Sequence, residues 1–408
     1  HELQGVYYDR NPFNIVRVIK GREMPDDNVR QNVYTRAADF WRSWLAAGVV
    51  IQEEDPAIYA YYQTFTVDGV EYTRRGMSVL VELEDYATGK VKAHERTLEG
   101  PKADRLKLLQ ATHTHFGQIF QLYPDDTNEV ADLIAPETSG DPLVDAQIPE
   151  EDARHRVWAV TDRAIIGMVQ ELMADRLLFI ADGHHRYETA LNYRNWAMEH
   201  YNIPDEGHSP RYAMMTLVGM SDPGLIVLPT LRILHSLKRF SLDDLLGGLN
   251  QHFAVSEEPN IEAMQAKLDA AAPDKQRNAF GLYCDRRFWF FELTDREIMG
   301  KVAGKQSDDW RSLDVAVLHE IVLERLLGIT KDAQAAKTNI DYERDRARGM
   351  AMVDDGSHHC LFFMNPTLLS QIRNVAGEGE VMPQKSTDFF PKLLTGLCAC
   401  PVELGTPK

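Results

Sequence analysis

The spacing of apolar positions changes several times along the chain. Val33, Ala37, Phe40, Trp41, Trp44 and Leu45 recur at helical spacing, and Gly48 follows where a left-handed residue would end the turn, which predicts a helix stopping just before it. AIYAYYQTF and VEYTRRGMSVLVELED are then aromatic and β-branched runs joined across Val67-Asp68-Gly69, where Asp-Gly supplies the positive φ that a tight hairpin needs. Residues 132–150, DLIAPETSGDPLVDAQIPE, hold three prolines and a glycine without a sustained period, so a linker or long surface loop is expected there. Past it, Ile165, Ile166, Val169, Leu172 and Met173 predict an amphipathic helix, LLFIA a short buried strand, and Tyr187, Ala190, Leu191 and Met198 the inner face of a second helix. RYAMMTLVGM and GLIVLPTLRIL read as strands, and AFGLYCD and RFWFFELT as a strand pair flanking Arg286. SLDVAVLHEIVLERLLG predicts a helix ending at Gly328, and HCLFFMNP a strand leading into the helix TLLSQIRNVA. The fold class is therefore α+β, mixed sheets with flanking helices. We expect an N-terminal α+β domain over 1–135, a segment over 151–250 and a C-terminal α+β segment over 251–408.

Length and composition narrow the classes of function. The chain has 408 residues, 44% of them apolar and 26% charged, the make-up of an ordinary globular protein with ample length for a core. Asp and Glu outnumber Lys and Arg by 62 to 44, and the resulting −18 repels nucleic acid and anionic membrane. Small molecules are the favoured partners, and a homo-oligomer is compatible with the pattern. No apolar run reaches the ~18 residues of a membrane span, and the opening HELQGVYYDR has neither the basic nor the apolar region of a signal peptide, so a cytoplasmic protein is expected. Cys284, Cys360, Cys398 and Cys400 show no CxxC spacing and are expected as reduced, mostly buried thiols, with Cys398 and Cys400 alternating along a strand.

One string carries chemistry. In LLFIADGHHRYETALNYR, residues 177–194, an apolar strand runs straight into an acid, a glycine, two histidines and an arginine. A strand that breaks at Asp182-Gly183 and enters a helix near His185 leaves backbone N–H groups unpaired at the break. Gly183 lets a ligand approach the main chain, the helix dipole adds partial positive charge, and Arg186 offers a forked donor for two phosphate oxygens. His184 and His185 can donate further hydrogen bonds, while Asp182 could orient one of them or hold magnesium beside the phosphates. The plainer reading is a pair of histidines capping a helix. His184 and Glu188 would share a helix face, but zinc catalysis needs about three protein ligands and no HExxH is present. GxxxxGK[ST], GxGxxG before a helix and GxSxG are absent as well.

FIADGHHRYETAL, together with HERT at 94–97, KADRL at 102–106 and MPQKSTDFFPKLLTG at 382–396, resembles a bacterial and archaeal family, domain of unknown function 1015. The likeness covers nearly the whole chain. That family is similar to ParB and sulfiredoxin domains, whose GxxR turn binds nucleotide phosphates, and to free-serine kinases with the same DGHHR string. The resemblance thus implies a ParB/sulfiredoxin-like phosphate-binding core and phosphoryl transfer from ATP or ADP to L-serine. In two places the chain departs from the pattern. The family opens with a proline-rich segment containing PPYD where this sequence has HELQG, so a site residue normally near the N-terminus is expected to be missing. Where the family has PTHR, this chain has Pro229-Thr230-Leu231-Arg232.

Phosphoryl transfer needs positioning, neutralisation of phosphate charge, and an acceptor for the hydroxyl proton. Gly183, His184, His185 and Arg186 are expected to cradle the phosphates, with Lys102 and Arg105 adding positive charge. Asp182 is the candidate for magnesium or for histidine orientation, and Glu95, in HERT, for general base. Arg232 and Lys385 are candidates for a substrate carboxylate, with Ser386 and Thr387 beside them and Glu380 as an acid for an ammonium group. The alternatives are solvated charges for HERT, a helix N-terminus for KADR and turn chemistry for Ser386 and Thr387. His358 and His359, at the start of a strand, are read as structural. Two other classes remain beside the kinase: a ParB-like nucleotide switch acting on DNA or a protein, and a nucleotide hydrolase with water as acceptor.

Overall fold

Asp68 and Gly69 both take positive φ, 50° and 78°, and the chain reverses tightly between Ile58–Val67 and Val70–Glu82. The computed structural model describes all residues except 1, 96, 98, 149–150, 204–208 and 275–276, and leaves the side chains of 2, 99 and 101 undescribed. The chain divides into two units. The first takes residues up to Lys92, Thr97–Leu225 and Pro391–Lys408, and the second takes Ala93–Arg96 and Ile226–Phe390.

The first unit is built on an eight-stranded mixed sheet. Its spatial order is Val91–Lys92, Leu178–Asp182, Ile119–Tyr123, Tyr212–Gly219, Val70–Glu82, Ile58–Val67, Ala153–Val160 and Val144–Ile148. Two neighbouring pairs run parallel, Val91–Lys92 with Leu178–Asp182 and Ile119–Tyr123 with Tyr212–Gly219. The strand that leads to the DGHHR turn lies second from the edge, and Leu178, Phe179, Ile180 and Ala181 are buried on it, which is why LLFIA has no alternation. The predicted helix after the first loop spans Val33–Ala46, buries Ala37, Trp41 and Trp44, and is followed by Gly48 at φ 67°.

Polar side chains inside this unit hold its C-terminal segment. Gln63, Arg74 and His155 are cross-strand partners and all are buried. The Arg74 guanidinium donates to Gln63 Oε1 at 3.0 Å and to the Pro391 carbonyl at 2.5 Å. Gln63 Nε2 donates to the Lys392 carbonyl at 3.0 Å, and the Leu394 amide donates to Tyr61 Oη at 3.1 Å. Pro391 is buried and Lys392 to Leu394 half-buried, and a segment so placed without ladder partners finds hydrogen bonds from these side chains. Burial pulls the Arg74 pKa down to about 10, still high enough to keep the charge at neutral pH.

Residues 132–150 do not separate domains. Ala135–Thr138 is a 3-10 turn, and Val144–Ile148 is a strand paired with Ala153–Val160, which pairs in turn with Ile58–Val67. The expected boundary between 135 and 151 therefore falls inside one sheet. The strand was hidden by the prolines and glycine around it, although Val144, Ala146 and Ile148 alternate with Asp145 and Gln147, as befits an edge strand with one face in solvent. The expected boundary at 250 is also displaced, since the main piece of the second unit runs from Ile226 to Phe390 and the chain from Pro391 returns to the first.

The second unit holds a six-stranded antiparallel sheet in the order Phe253–Glu258, Arg287–Leu293, Ala279–Cys284, Cys360–Met364, Leu231–Leu234 and Ile340–Glu343. Leu231, Ile233, Met264, Leu268, Leu361 and Phe363 form one core on it. Asp285 and Arg286, at φ 48° and 59°, make the tight turn of the predicted strand pair. SLDVAVLHEIVLERLLG is α-helical only over Asp314–Val317 and continues as a π-helix over Leu318–Leu326, with Leu327 N donating to Val322 O at 3.0 Å. His358 and His359 are structural contacts: His358 Nε2 lies 3.1 Å from Asp341 Oδ2, and His359 Nε2 accepts from the Leu237 amide at 3.1 Å. Among the described residues no disulfide links the four cysteines, and Cys284, Cys360 and Cys400 are buried. Only Cys400 of the Cys398–Cys400 stretch lies in a strand, so the expected alternation along one strand does not occur.

Asp314 gives this unit a pH dependence. Its carboxylate accepts from Asn278 Nδ2 at 2.8 Å, yet burial raises its pKa to about 7. The folded state thus prefers the protonated acid more than the unfolded chain does. Stability should fall as pH rises from the unfolded carboxyl value near ~4 to about 7, and stay level above it. Asp314→Asn, which keeps an acceptor for Asn278 without the charge, is expected to stabilise the protein on the order of 1–2 kcal/mol at pH 8 and little at pH 4. Thermal melts of both proteins across that range test this, and equal gains at both pH values would refute it.

Candidate functional site: the turn at Asp182-Gly183

The strand Leu178–Asp182 ends where Phe120 and Asp182 are paired, after a register shift between Phe120 and Gln121. Gly183 follows at φ 92°, a conformation natural to glycine, and the helix His184–His200 starts immediately. Glycine offers no side chain to cap that helix, and its first turn contains no acidic residue. The end of the helix therefore presents backbone N–H groups and the positive pole of the dipole.

A second helix, Glu99–Thr112, carries Lys102 and Arg105 to the same place. Lys102 Nζ lies 2.9 Å from Glu188 Oε2, which also accepts from Thr97 Oγ1 at 2.6 Å. Burial lowers the pKa of His185, and the charges of Arg105 and Lys102 lower it further, against opposing contributions from Glu188 and Asp182. His185 is therefore a neutral imidazole at pH 7 and His184 is buried. Arg186 Nη2 lies 3.3 Å from Asp182 Oδ2, and its guanidinium rests against the backbone of Gly183. Burial and nearby Arg105 weigh against the Arg186 charge, Asp182 favours it, and an arginine remains protonated regardless.

Of the residues expected here, the structure brings together Lys102, Arg105, Asp182, Gly183, His185 and Arg186, with His184 buried beneath. Among the described residues, the cations Lys102, Arg105 and Arg186 and the carboxylates Asp182 and Glu188 meet at the start of this helix. Asp182 faces Arg186 rather than a histidine. Glu188 is held by Lys102, so the His184/Glu188 pair is not arranged as a zinc site, and among the described residues no three His, Cys, Asp or Glu side chains form a group able to hold a metal. Magnesium commonly binds with one or two carboxylates plus phosphate oxygens and water, and Asp182 is the residue here that fits that limited role. Sequence reasoning missed Glu188 and Thr97 as partners of Lys102. A signal existed: Glu188 falls one turn past the double histidine, on the face that needs a neighbour.

The other expected residues lie in the second unit. Arg232, expected to meet a substrate carboxylate, is 1% exposed. Its guanidinium donates to the carbonyls of Thr230 and Lys385, the latter at 2.8 Å, and contacts Met364 Sδ at 2.9 Å. Burial pulls its pKa down to about 10. Arg232 is thus an internal brace of the MPQKST turn. Lys385 takes a left-handed φ of 58° and its side chain is exposed. Ser386 is buried, its hydroxyl donating to the Pro383 carbonyl, the backbone bonding of a serine in a turn. Thr387 Oγ1 pairs with His94 Nε2 at 2.9 Å, and the His94 carbonyl accepts from the Met382 amide at 2.8 Å. Asp388 forms a two-point pair with Arg344. Much of the polarity of this long motif is therefore spent inside the protein. Glu95 is half-buried next to His94, while Arg96 of HERT lies outside the described residues. Glu380, considered for an ammonium group, instead accepts from the amide of Ser307 at 2.9 Å and from its hydroxyl.

Among the described residues no helix is long and apolar enough to cross a membrane. No curated protein matches the chain. Solved structures with some likeness include a conserved hypothetical protein from Pyrococcus furiosus, 15% identical with a TM-score of 0.36, covering 78% of this chain and 93% of that one. A free serine kinase in complex with AMP is 13% identical with a TM-score of 0.38, covering 76% and 86%. SbnI with a C-terminal truncation, from Staphylococcus aureus, is 9% identical with a TM-score of 0.36, covering 78% and 85%. Scores this low carry no argument about this chain. The sequence itself matches a known family over residues 1–316, most of its length, and the protein belongs to the family described as Protein of unknown function (DUF1015).

Proposed function

We propose that this protein is a phosphotransferase that moves the terminal phosphoryl group of ATP or ADP to the hydroxyl of a small molecule, free L-serine first among them. The observation that carries the reading is the convergence of Lys102, Arg105 and Arg186 on the uncapped start of the helix His184–His200. That arrangement suits the phosphates of a nucleotide, because backbone amides, a helix dipole and a guanidinium fork all favour the same anion. The resemblance to free-serine kinases, carried by the DGHHR string, supplies the choice of acceptor.

In the reaction, the acceptor oxygen attacks the terminal phosphorus, the bond from phosphorus to the bridging oxygen breaks, and the shortened nucleotide leaves with that oxygen. Arg186, Lys102 and the amides after Gly183 hold and neutralise the phosphates throughout. His185, neutral at pH 7, donates a hydrogen bond without adding charge. Asp182 is assigned to magnesium brought in with the nucleotide, and Glu95 to the proton released by the hydroxyl. Lys385, with its exposed ammonium, is the candidate contact for an acceptor carboxylate, and its neighbours Ser386 and Thr387 shape that turn.

The test is direct. Purified protein is incubated with magnesium, ATP or ADP, and a panel of hydroxyl amino acids, and products are identified by mass spectrometry. Phosphoserine formed from free serine is the expected result. Nucleotide hydrolysis that no acceptor diverts would instead make the protein a hydrolase, and nucleotide binding that requires DNA would make it a switch.

A further inference from the structure

The Arg186 guanidinium lies against two glycines. A Cβ on Gly183 would fall 2.8 Å from Arg186 Nε and 2.9 Å from Nη2, and a Cβ on Gly117 would fall 3.2 Å from Nη1 and 3.6 Å from Cδ. Gly183 has its own reason to be glycine, its φ of 92°. Gly117 has no such reason, since it is not among the residues of positive φ. It lies just before the strand Ile119–Tyr123, whose Phe120 is the partner of Asp182, so the turn reaches the Arg186 side chain from the neighbouring strand. Among the described residues other than its chain neighbours, the atoms a Cβ at Gly117 would approach within 4 Å belong to Arg186.

We propose that Gly117 is a positioning residue for Arg186: by lacking a side chain it leaves the guanidinium room to lie in the turn beside Gly183 and Asp182. Arg186 touches the anion and Gly117 acts only through it. A methyl group at 117 strains no backbone and displaces only the far end of a flexible side chain. The fold should accept it readily, while the guanidinium, which has Gly183 on another side and Asp182 at 3.3 Å, has to shift by a few tenths of an ångström out of its place in the turn. The consequence for nucleotide affinity rests on the proposed function. The consequence for the placement of Arg186 does not.

The experiment compares wild type, Gly117→Ala, Arg186→Ala and the double variant. Phenylglyoxal labelling without nucleotide, read by peptide mass spectrometry, reports how accessible the Arg186 guanidinium is, and calorimetry with ADP at fixed salt reports affinity. Gly117→Ala should melt within ~2 °C of wild type, label severalfold faster at Arg186, and bind ADP about tenfold more weakly. In the Arg186→Ala background the same change should cost nothing further. An unchanged labelling rate overturns the proposal, as does an affinity loss that persists undiminished without Arg186. If the wild type binds no nucleotide, the phosphotransferase reading falls, and labelling alone still decides the role of Gly117.

Discussion

Arg186→Ala is expected to weaken ADP binding by about 30-fold or more while leaving the melting temperature nearly unchanged. The affinity figure follows from the ~2 kcal/mol that a charge-assisted, two-pronged contact to phosphate contributes. The small effect on stability follows from the ion pair it breaks. Arg186 and Asp182 are 3.3 Å apart, and the Asp182 side chain is 42% exposed, so water can replace the lost partner. Arg186→Lys should recover part of the affinity, because an ammonium supplies the charge without the fork. Calorimetric titration paired with thermal melts separates the outcomes. Full affinity in the alanine variant would remove the anion cradle and the proposed chemistry with it.

Arg232→Ala should have the opposite profile, a large loss of stability. Arg232 is buried and braces the carbonyls of Thr230 and Lys385. Removing it leaves both without that donor and opens a cavity the size of a long side chain, a combined cost on the order of 3–5 kcal/mol. For a unit of this size the melting transition should drop by roughly 10 °C. Arg232→Met restores volume but no donors, and should recover only part of the loss. A variant that melts like wild type yet needs far more serine for turnover would return Arg232 to the acceptor-binding role expected from sequence.

The contrast between these two arginines marks how far a sequence alone can be read. Both stand in motifs, and both were assigned to a ligand. Arg186 follows a strand and opens a helix, a local arrangement of glycine, helix start and charge that sequence order specifies completely. Arg232 lies in a short strand, where its surroundings depend on Lys385 and Met364, more than 130 residues away in the chain. No periodicity predicts such a neighbour. The same holds for Lys102, whose place beside the turn depends on how the helix Glu99–Thr112 packs and on its pair with Glu188.

By itself the sequence determined the α+β class, the Asp68-Gly69 hairpin, the strand that stops at Asp182 and the helix that starts after Gly183. These depend on φ preferences and on spacing between near neighbours, interactions that act within a few residues. Only the tertiary structure decided that residues 144–148 join the first sheet, that the chain from Pro391 returns to the first unit, and which charged side chains face a turn and which are braces in the interior. A buried cation must be paid for by partners wherever they lie in the chain, and the identity of those partners is set by packing.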